Sequence, residues 1–238
     1  MARSNPKELD SSGAPLSEYY DDKLSAEGLR KCYEIAPPRI RQYLGAETRF
    51  VMQRTRGSRR VLELGCGYGR VMKKVVVNVR FAVGCDTSRS SLRFAGSYLR
   101  PRRNFGLVSA DASCLPFRPG VFDAVFCVQN GISAFGADRQ ELVSEAIRVT
   151  KEGGHILFSS YSHRIWKERL AWFRSQSEAG LIGEIDEAET GHGTIVCRDG
   201  FRASTVSKEE FERLFSRAGT SPRIKEIDRS SVFCLARK

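Results

Sequence analysis

The sequence predicts an α/β fold, a doubly wound and mostly parallel sheet of seven strands with an antiparallel strand at its C-terminal end. Short apolar runs alternate with amphipathic stretches of helical period through the middle of the chain, which is the pattern of parallel strands joined by crossover helices. The first apolar run ends in a glycine-rich turn, as in folds that bind nucleotides. Two further runs, 223–228 and 231–236, follow each other closely enough to pair as antiparallel strands.

The first predicted strand contains Val61, Leu62 and Leu64, and three glycines follow it at alternate positions. Glycine has no Cβ, so a ligand can approach the backbone of such a turn closely. Residues 70–75 have the composition of the start of the next helix. A strand, a glycine turn and a helix N-terminus together form a nucleotide-binding corner. The alternative is a tight strand-to-helix connection without a ligand.

The second predicted strand, residues 81–86, ends in the carboxylate of Asp86. This places an acid at the tip of the neighbouring strand, at about the spacing of an acid that binds a ribose. A carboxylate can accept hydrogen bonds from both ribose hydroxyls. Asp86 could instead cap the following helix, but the glycine turn upstream favours the ribose interpretation.

Glu63–Gly69 resembles the first motif of the class I S-adenosylmethionine-dependent methyltransferases, and Asp86 lies where that family has its ribose acid. Three further matches follow in order, and they lie at 110–117, 122–125 and 148–155. The resemblance extends from about Val61 to Phe158. Within the family, the chain resembles the members that act on small molecules, which are similar to the methyltransferase domain families 11 and 25. The dinucleotide-binding pattern of dehydrogenases would need its third glycine at position 70. In this chain the third glycine is Gly69, so the spacing departs from that pattern.

The resemblance implies S-adenosylmethionine as cofactor, with S-adenosylhomocysteine as product, and a set of residues that hold it. The methionine end would lie on Glu63 and the Gly65, Cys66, Gly67 and Gly69 backbone, the ribose on Asp86 beside Thr87, the adenine on Asp111 with Ala112, and the reacting end near Gln129 and Asn130. Asp111 could instead form an Asx-turn at the end of its strand. Gln129 and Asn130 could instead cap an ordinary loop.

No residue is identified as a catalytic base by spacing. His163 is the first candidate, because histidine titrates near neutral pH and the predicted fifth strand ends beside it. Tyr161 is a weaker candidate, and His192 is a weaker one for catalysis or substrate contact. Tyr19 and Tyr20 are candidates to close over the substrate, with packing on a helix as their alternative.

The predicted organisation is a disordered tail at 1–15 followed by a single methyltransferase domain at 16–238. Within that domain, residues 16–56 form an N-terminal helical cap. Residues 164–206 form an inserted lid made of a helix and a hairpin, beside the edge of the sheet where function is usually found. Surface elaboration or dimerisation is the alternative role of the insertion.

Composition bounds the function further. The chain has 238 residues and a formal net charge of +11, so nucleic acid is a possible partner. No apolar run has the length of a membrane span, and histidines and cysteines show no metal-ligand spacing. The seven cysteines are scattered and odd in number, which is typical of reduced thiols in a cytoplasmic protein.

Four functions are therefore compared. Methyl transfer to a small molecule by in-line displacement is the leading hypothesis. An RNA methyltransferase with tRNA as its substrate class is supported by the charge. A module that holds the cofactor without catalysis is the third possibility. A nicotinamide oxidoreductase is disfavoured by the glycine spacing.

Overall fold

The computed structural model describes Tyr19 and residues 24–238. The predicted tail and Tyr20 lie outside those residues. The strands in chain order are β1 Arg60–Leu64, β2 Phe81–Asp86, β3 Phe105–Ser109, β4 Phe122–Cys127, β5 Thr150–Tyr161, β6 Thr194–Val196, β7 Arg202–Ser204, β8 Arg223–Ile227 and β9 Ser231–Arg237. Seven of them form one sheet in the order β3-β2-β1-β4-β5-β9-β8, and β6 pairs with β7 in a separate hairpin.

The helices pack around this sheet. In chain order they are α1 Ala26–Glu34, α2 Pro38–Thr55, α3 Met72–Val75, α4 Arg89–Tyr98, α5 Arg139–Val149, α6 Trp166–Glu178 and α7 Lys208–Arg217. Short 3₁₀ turns cover Gly131–Ser133 and His163–Ile165. The predicted hairpin and the helix of the insertion are both present.

The sheet has the predicted topology. β1 pairs in parallel with β2 and β4, β2 with β3, and β4 with β5. The carboxyl ends of these five strands therefore share one edge, where an open α/β sheet binds its ligands. β9 runs antiparallel to both β5 and β8, so the expected antiparallel element is confirmed.

Local signals explain where individual elements begin and end. The Ser207 side chain accepts a hydrogen bond from Glu210 N and starts α7. The helix ends before Gly219, which has φ +78°. The helix that was expected to start at residue 70, after the glycine turn, is shorter than predicted. The chain stays in turn conformation through Val71, and only residues 72–75 are helical.

Three buried clusters make up the core. One side of the sheet packs against α5 and α7 through residues such as Leu62 and Phe211. The other side packs against α2 and α3 through residues such as Met72 and Phe126. The third cluster joins the N-terminal helices to the inserted segment, with Tyr43 and Phe201 among its members. The insertion and the helical cap therefore share one hydrophobic core.

Within the described part of the chain, no helix combines the length and the apolar character that crossing a membrane requires.

Candidate functional site

The glycine turn after β1 is folded tightly against the end of β2. Gly65 N and Cys66 N both donate to the carbonyl oxygen of Cys85, at 2.8 and 3.0 Å. Gly65 has φ +69° and Gly67 has φ +49°, a region that other residues adopt at a cost. A Cβ on Gly65 would lie 2.9 Å from the Phe135 ring. The turn therefore needs glycine both for its conformation and for the space beside it.

Asp86 holds this turn in place. One carboxylate oxygen accepts a hydrogen bond from Gly67 N at 2.7 Å, and the other accepts one from Ser88 N at 2.9 Å. The side chain is half-buried and lies at the carboxyl edge of the sheet beside the exposed Thr87. Asp86 thus combines the predicted location of a ribose acid with a capping contact on the following turn.

A cleft opens at this edge of the sheet, between the glycine turn, α1 and the inserted segment. Its lining comes from the strand ends, from the helical cap and from the lid, and it includes Leu29, Tyr33, Glu63, Gly65, Cys66, Gly67, Arg70, Asp86, Thr87, Gln129, Asn130, Phe135, Tyr161, Arg169, Trp172, Phe173, Gln176, Phe201 and Ala203. Of the predicted cofactor residues, Gly69 completes the turn but lies outside this lining.

Glu63 and Arg70 both line the cleft, and they are close enough for the Arg70 charge to act on the Glu63 carboxyl. Burial raises the pKa of Glu63 to about 8, against the opposing effect of the Arg70 charge and the Met72 backbone N–H. Glu63 Oε2 and the Nε and Nη2 atoms of Arg70 are buried and have no hydrogen-bond partner among the described residues. The Arg70 guanidinium also lies 4.8 Å from the centre of the Tyr33 ring. A carboxyl and a guanidinium with unused hydrogen-bonding atoms suit a ligand that carries both charges.

The end of β3 is arranged differently from the other strand ends. Asp111 is exposed, and its Oδ1 accepts from both Ser113 N and Ser113 Oγ at 2.8 Å. Ala112 is buried in the core. Neither residue lines the cleft, and Asp111 forms the Asx-turn that the sequence left open as its alternative.

The loop after β4 does reach the cleft, in a strained conformation. Gln129 and Asn130 both have positive φ, +57° and +61°, which is uncommon for residues other than glycine. The Asn130 side chain is hydrogen-bonded through both polar atoms, since Nδ2 donates to Ser204 O at 2.7 Å and Oδ1 accepts from Ser160 Oγ at 2.6 Å. Gln129 Nε2 is buried and has no partner within the described chain. Asn130 therefore anchors the loop, and Gln129 keeps a donor for a ligand.

Residues of the insertion form the opposite wall. α6 contributes Arg169, Trp172, Phe173 and Gln176, which are its buried residues. Tyr161 at the end of β5 is buried beneath them, and its ring lies 4.3 Å from the Arg169 guanidinium. Burial raises the pKa of the Tyr161 phenol despite the nearby Arg169 charge. Tyr161 is therefore protonated at neutral pH and can donate a hydrogen bond to a ligand.

The remaining predicted residues lie elsewhere. His163 and His192 are exposed, and neither lines the cleft. Tyr19 is buried beneath the lid, where its hydroxyl donates to Asp199 Oδ2 at 2.7 Å and its ring contacts Phe201. Tyr20 is outside the described residues. The structure thus brings the β1, β2 and β4 ends together with Tyr161, and leaves both histidines outside.

Several lining residues were not anticipated. Arg70 follows the third glycine directly, and its charge beside an acidic strand end was a signal that sequence reasoning could have used. Tyr33 lies on α1, and nothing in its local sequence marks it as a cleft residue. The α6 residues at 169, 172, 173 and 176 share one helix face by their spacing, but only the fold shows that this face meets the cleft.

Comparison with known proteins gives a consistent result. Residues 61–154 match the model of a methyltransferase domain family. The chain is 32% identical over 136 residues to malonyl-[acyl-carrier protein] O-methyltransferase of Legionella pneumophila. This alignment covers 56% of this chain and 47% of that protein. It is also 32% identical over 111 residues to demethylmenaquinone methyltransferase of Streptomyces avermitilis. That alignment covers 47% of this chain and 46% of that protein. The chain spans about half the length of the curated relatives it matches.

A solved S-adenosylmethionine-dependent methyltransferase from Methanosarcina mazei has the same fold. The two structures superpose with a TM-score of 0.60 over 79% of this chain and 96% of that one, at 20% sequence identity. The matched segment of the family model contains the glycine turn, Asp86 and the loop after β4.

Proposed function

We propose that this chain, which carries a class I S-adenosylmethionine-dependent methyltransferase domain, transfers the methyl group of that cofactor to a small-molecule acceptor. One observation carries the proposal. The glycine turn, Asp86 and the Glu63–Arg70 pair line the same cleft as a wall of aromatic residues from the inserted lid. A cofactor site and an acceptor site therefore share one enclosed space, as a small ligand requires.

The polar end of the cleft suits the two charges of the methionine group. Arg70 would pair with its carboxylate through the unused Nε and Nη2 atoms, and Glu63 would accept from its ammonium through Oε2. Asp86 would bind the ribose while it keeps its hydrogen bond from Gly67 N. These contacts would fix the reacting sulfur near the loop after β4, close to Gln129.

The chain's own contribution to the reaction is mainly positioning. When bound, the cofactor supplies an electrophilic methyl group on a positively charged sulfur, which leaves as a neutral thioether. The lid and α1 would exclude water from this reaction, and Gln129 Nε2 and the Tyr161 hydroxyl would orient the acceptor. Tyr161 is held in its protonated form, so we propose it as a hydrogen-bond donor. An acceptor that is already ionised or a neutral amine needs no protein base.

A second function, methylation of RNA, is favoured by one feature of the surface. Arg49, Arg54 and Lys225 line a groove along α2 and β8, and the chain has a net charge of +11. None of these residues lines the cleft. Binding of RNA through this groove would weaken steeply with salt, whereas binding of a small neutral acceptor would not.

A cytoplasmic location is part of the proposal. All seven cysteines are free, and six of them are buried, which suits a reducing compartment. Detection of the protein in the cytosolic fraction of lysed cells would agree with it, and recovery from an oxidising compartment would contradict it.

The direct test is incubation of the protein with methyl-labelled S-adenosylmethionine and a size-fractionated cell extract. Label in the fraction below about the size of a peptide supports the proposal. Label in nuclease-sensitive material supports the RNA alternative instead. Cofactor binding without transfer to any fraction supports a binding module and contradicts catalysis. The Asp86→Ala variant is the negative control for each fraction.

A further inference from the structure

A buried carboxyl group joins α2 to the two strands β5 and β9, behind the cleft. Glu47 belongs to α2 and is only 1% exposed. Its Oε1 atom accepts hydrogen bonds from Ser159 Oγ at 2.6 Å and from Ser231 Oγ at 2.7 Å. Its Oε2 atom is buried and has no hydrogen-bond partner among the described residues. A buried acid with an unused oxygen costs stability, so attachment of the helix to the sheet does not by itself explain this residue.

Ser159 connects this carboxyl group to the loop after β4. It lies on β5 and is completely buried. The Oγ atom that donates to Glu47 also accepts a hydrogen bond from Gln129 N at 3.0 Å. The carbonyl oxygen of Ser159 accepts a second one from Asn130 N at 3.2 Å. One residue therefore binds the backbone N–H groups of both loop residues that have positive φ.

Glu47 fixes the direction in which the Ser159 hydroxyl points. A serine hydroxyl has one proton and two lone pairs, and it rotates to suit its neighbours. Because Glu47 Oε1 accepts the hydrogen bond from this proton, a lone pair of Ser159 Oγ stays directed at Gln129 N. Without the carboxyl group the hydroxyl would have no fixed acceptor, and the support of Gln129 N would weaken.

The loop depends on such support because its backbone is strained. Gln129 has φ +57° and Asn130 has φ +61°, and residues in this region keep their conformation only where the surrounding structure holds them. Asn130 is also anchored through its side chain, whereas Gln129 Nε2 has no partner within the described chain. The direction of the Gln129 side chain in the cleft is thus set through its backbone.

We propose that Glu47 is a positioning residue for methyl transfer, and that it acts through Ser159 to hold Gln129 Nε2 toward the acceptor. Glu47 does not line the cleft, so its effect on either ligand is indirect. This inference rests on the proposed function, because that function gives Gln129 its contact with the acceptor.

The first test measures the loop itself and needs no substrate. Glu47→Leu removes the acceptor of the Ser159 hydroxyl. Amide exchange of the peptide that contains residues 129 and 130, followed by mass spectrometry, should become about tenfold faster, the effect of one weakened hydrogen bond. Ser159→Ala should have the same effect and tests the same link if Glu47→Leu does not fold.

Ser231→Ala is the matched control for these variants. It removes a buried hydrogen bond to the same Glu47 oxygen, but Ser231 lies on β9 and its hydroxyl makes no contact with the loop. Exchange at 129 and 130 should therefore stay as in the wild type.

The second test measures transfer of label from methyl-labelled S-adenosylmethionine to the small-molecule fraction of the extract. At saturating cofactor, Glu47→Leu should lower the initial rate about tenfold. The KM for S-adenosylmethionine should stay within about threefold of the wild-type value, because the loss falls on the acceptor side. Burial raises the pKa of Glu47, which favours its neutral form, so the neutral amide of Glu47→Gln should restore most of the rate.

A double-mutant cycle separates positioning from a general loss of structure. If Glu47 acts through Gln129, then Glu47→Leu should lower the rate no further in a protein that already carries Gln129→Ala. An equal loss in both backgrounds, or unchanged exchange at 129 and 130 in Glu47→Leu, would overturn the inference while the proposed function stands. No transfer by the wild type would instead contradict the proposed function, and the exchange comparison would still decide whether Glu47 holds Gln129.

Discussion

Asn130 Nδ2 donates a hydrogen bond of 2.7 Å to the carbonyl oxygen of Ser204. This contact joins the loop after β4, which lines the cleft, to strand β7 of the lid hairpin. Asn130 Oδ1 accepts from Ser160 Oγ at the end of β5, and Ser160 Oγ accepts from Val206 N at 2.9 Å. The lid is therefore fixed to the edge of the sheet by a connected set of buried hydrogen bonds.

Asn130→Asp should loosen the lid. Aspartate tolerates the positive φ of this position and keeps an oxygen for Ser160, but it loses the donor to Ser204 O. We expect the free energy of unfolding to fall by about 1–3 kcal/mol, and amide exchange over 194–204 to become faster. Hydrogen exchange measured by mass spectrometry checks this. Asn104→Asp is the control, because Asn104 Nδ2 donates to Val76 O and Val79 O away from the lid, and it should destabilise without this local change.

Glu63 should make stability depend on pH. Burial raises the pKa of Glu63 from its ordinary value of 4.5 to about 8 in the folded protein, so between these values the folded state binds more protons than the unfolded state. The free energy of unfolding therefore falls as pH rises through this window. Glu63→Gln cannot ionise and should show a smaller fall. Urea unfolding of both proteins between pH 5 and 8.5 measures the difference.

The same residue should couple cofactor binding to proton release. A positively charged ligand group beside Glu63 favours the ionised carboxyl, so binding below pH 8 should expel a proton. Calorimetry at pH 7 in two buffers of different ionisation enthalpy detects that proton. Glu63→Gln should release fewer protons than the wild type. Equal release by both proteins would show that Glu63 does not meet the charged end of the cofactor.

Gly65→Ala should impair the site beyond the cost of backbone strain. The new Cβ would be 2.9 Å from Phe135, which lines the cleft, and the residue has φ +69°. Gly57→Ala is the matched control, because Gly57 has φ +78° and no atom within 4 Å of an added Cβ. Each variant should lose about 1 kcal/mol of stability from strain. Only Gly65→Ala should also lose affinity for S-adenosylmethionine, and an equal loss in both would contradict this.

His163→Ala should leave methyl transfer unchanged, because the side chain is exposed and outside the cleft. Tyr161→Phe should lower transfer several-fold, because it removes a buried hydroxyl from the cleft. Transfer of label to the acceptor-containing extract fraction measures both. A loss of transfer in His163→Ala at unchanged cofactor affinity would restore the histidine as a catalytic residue.

The sequence predicted the sheet and the cofactor side of the cleft because their signals are local. The glycines at 65, 67 and 69, and Asp86 at a strand end, are constrained by backbone conformation and strand order, both of which follow from short segments. The expected cap and hairpin are present for the same reason. Residues 61–154, which contain these segments, match the model of a methyltransferase domain family.

The acceptor side could not be predicted in the same way. Which face of α6 meets the cleft depends on packing with α1, as in the contact between Trp172 and Cys32. His163 has suitable chemistry and lies just after β5, but the 3₁₀ turn there exposes its side chain. Arg169 and Gln176 look like ordinary surface residues in the sequence, and only the tertiary fold buries them.

The most direct test of the central claim is calorimetric binding of S-adenosylmethionine to the wild type and to Asp86→Ala. The variant loses the hydrogen bonds to Gly67 N and Ser88 N and the proposed ribose contact, so its affinity should fall by at least about tenfold. Asp123→Asn is the control, because Asp123 accepts from Arg60 N at the opposite edge of the sheet. It should bind like the wild type. Equal affinity of wild type and Asp86→Ala, or no binding to either, would contradict the assignment of this cleft to the cofactor.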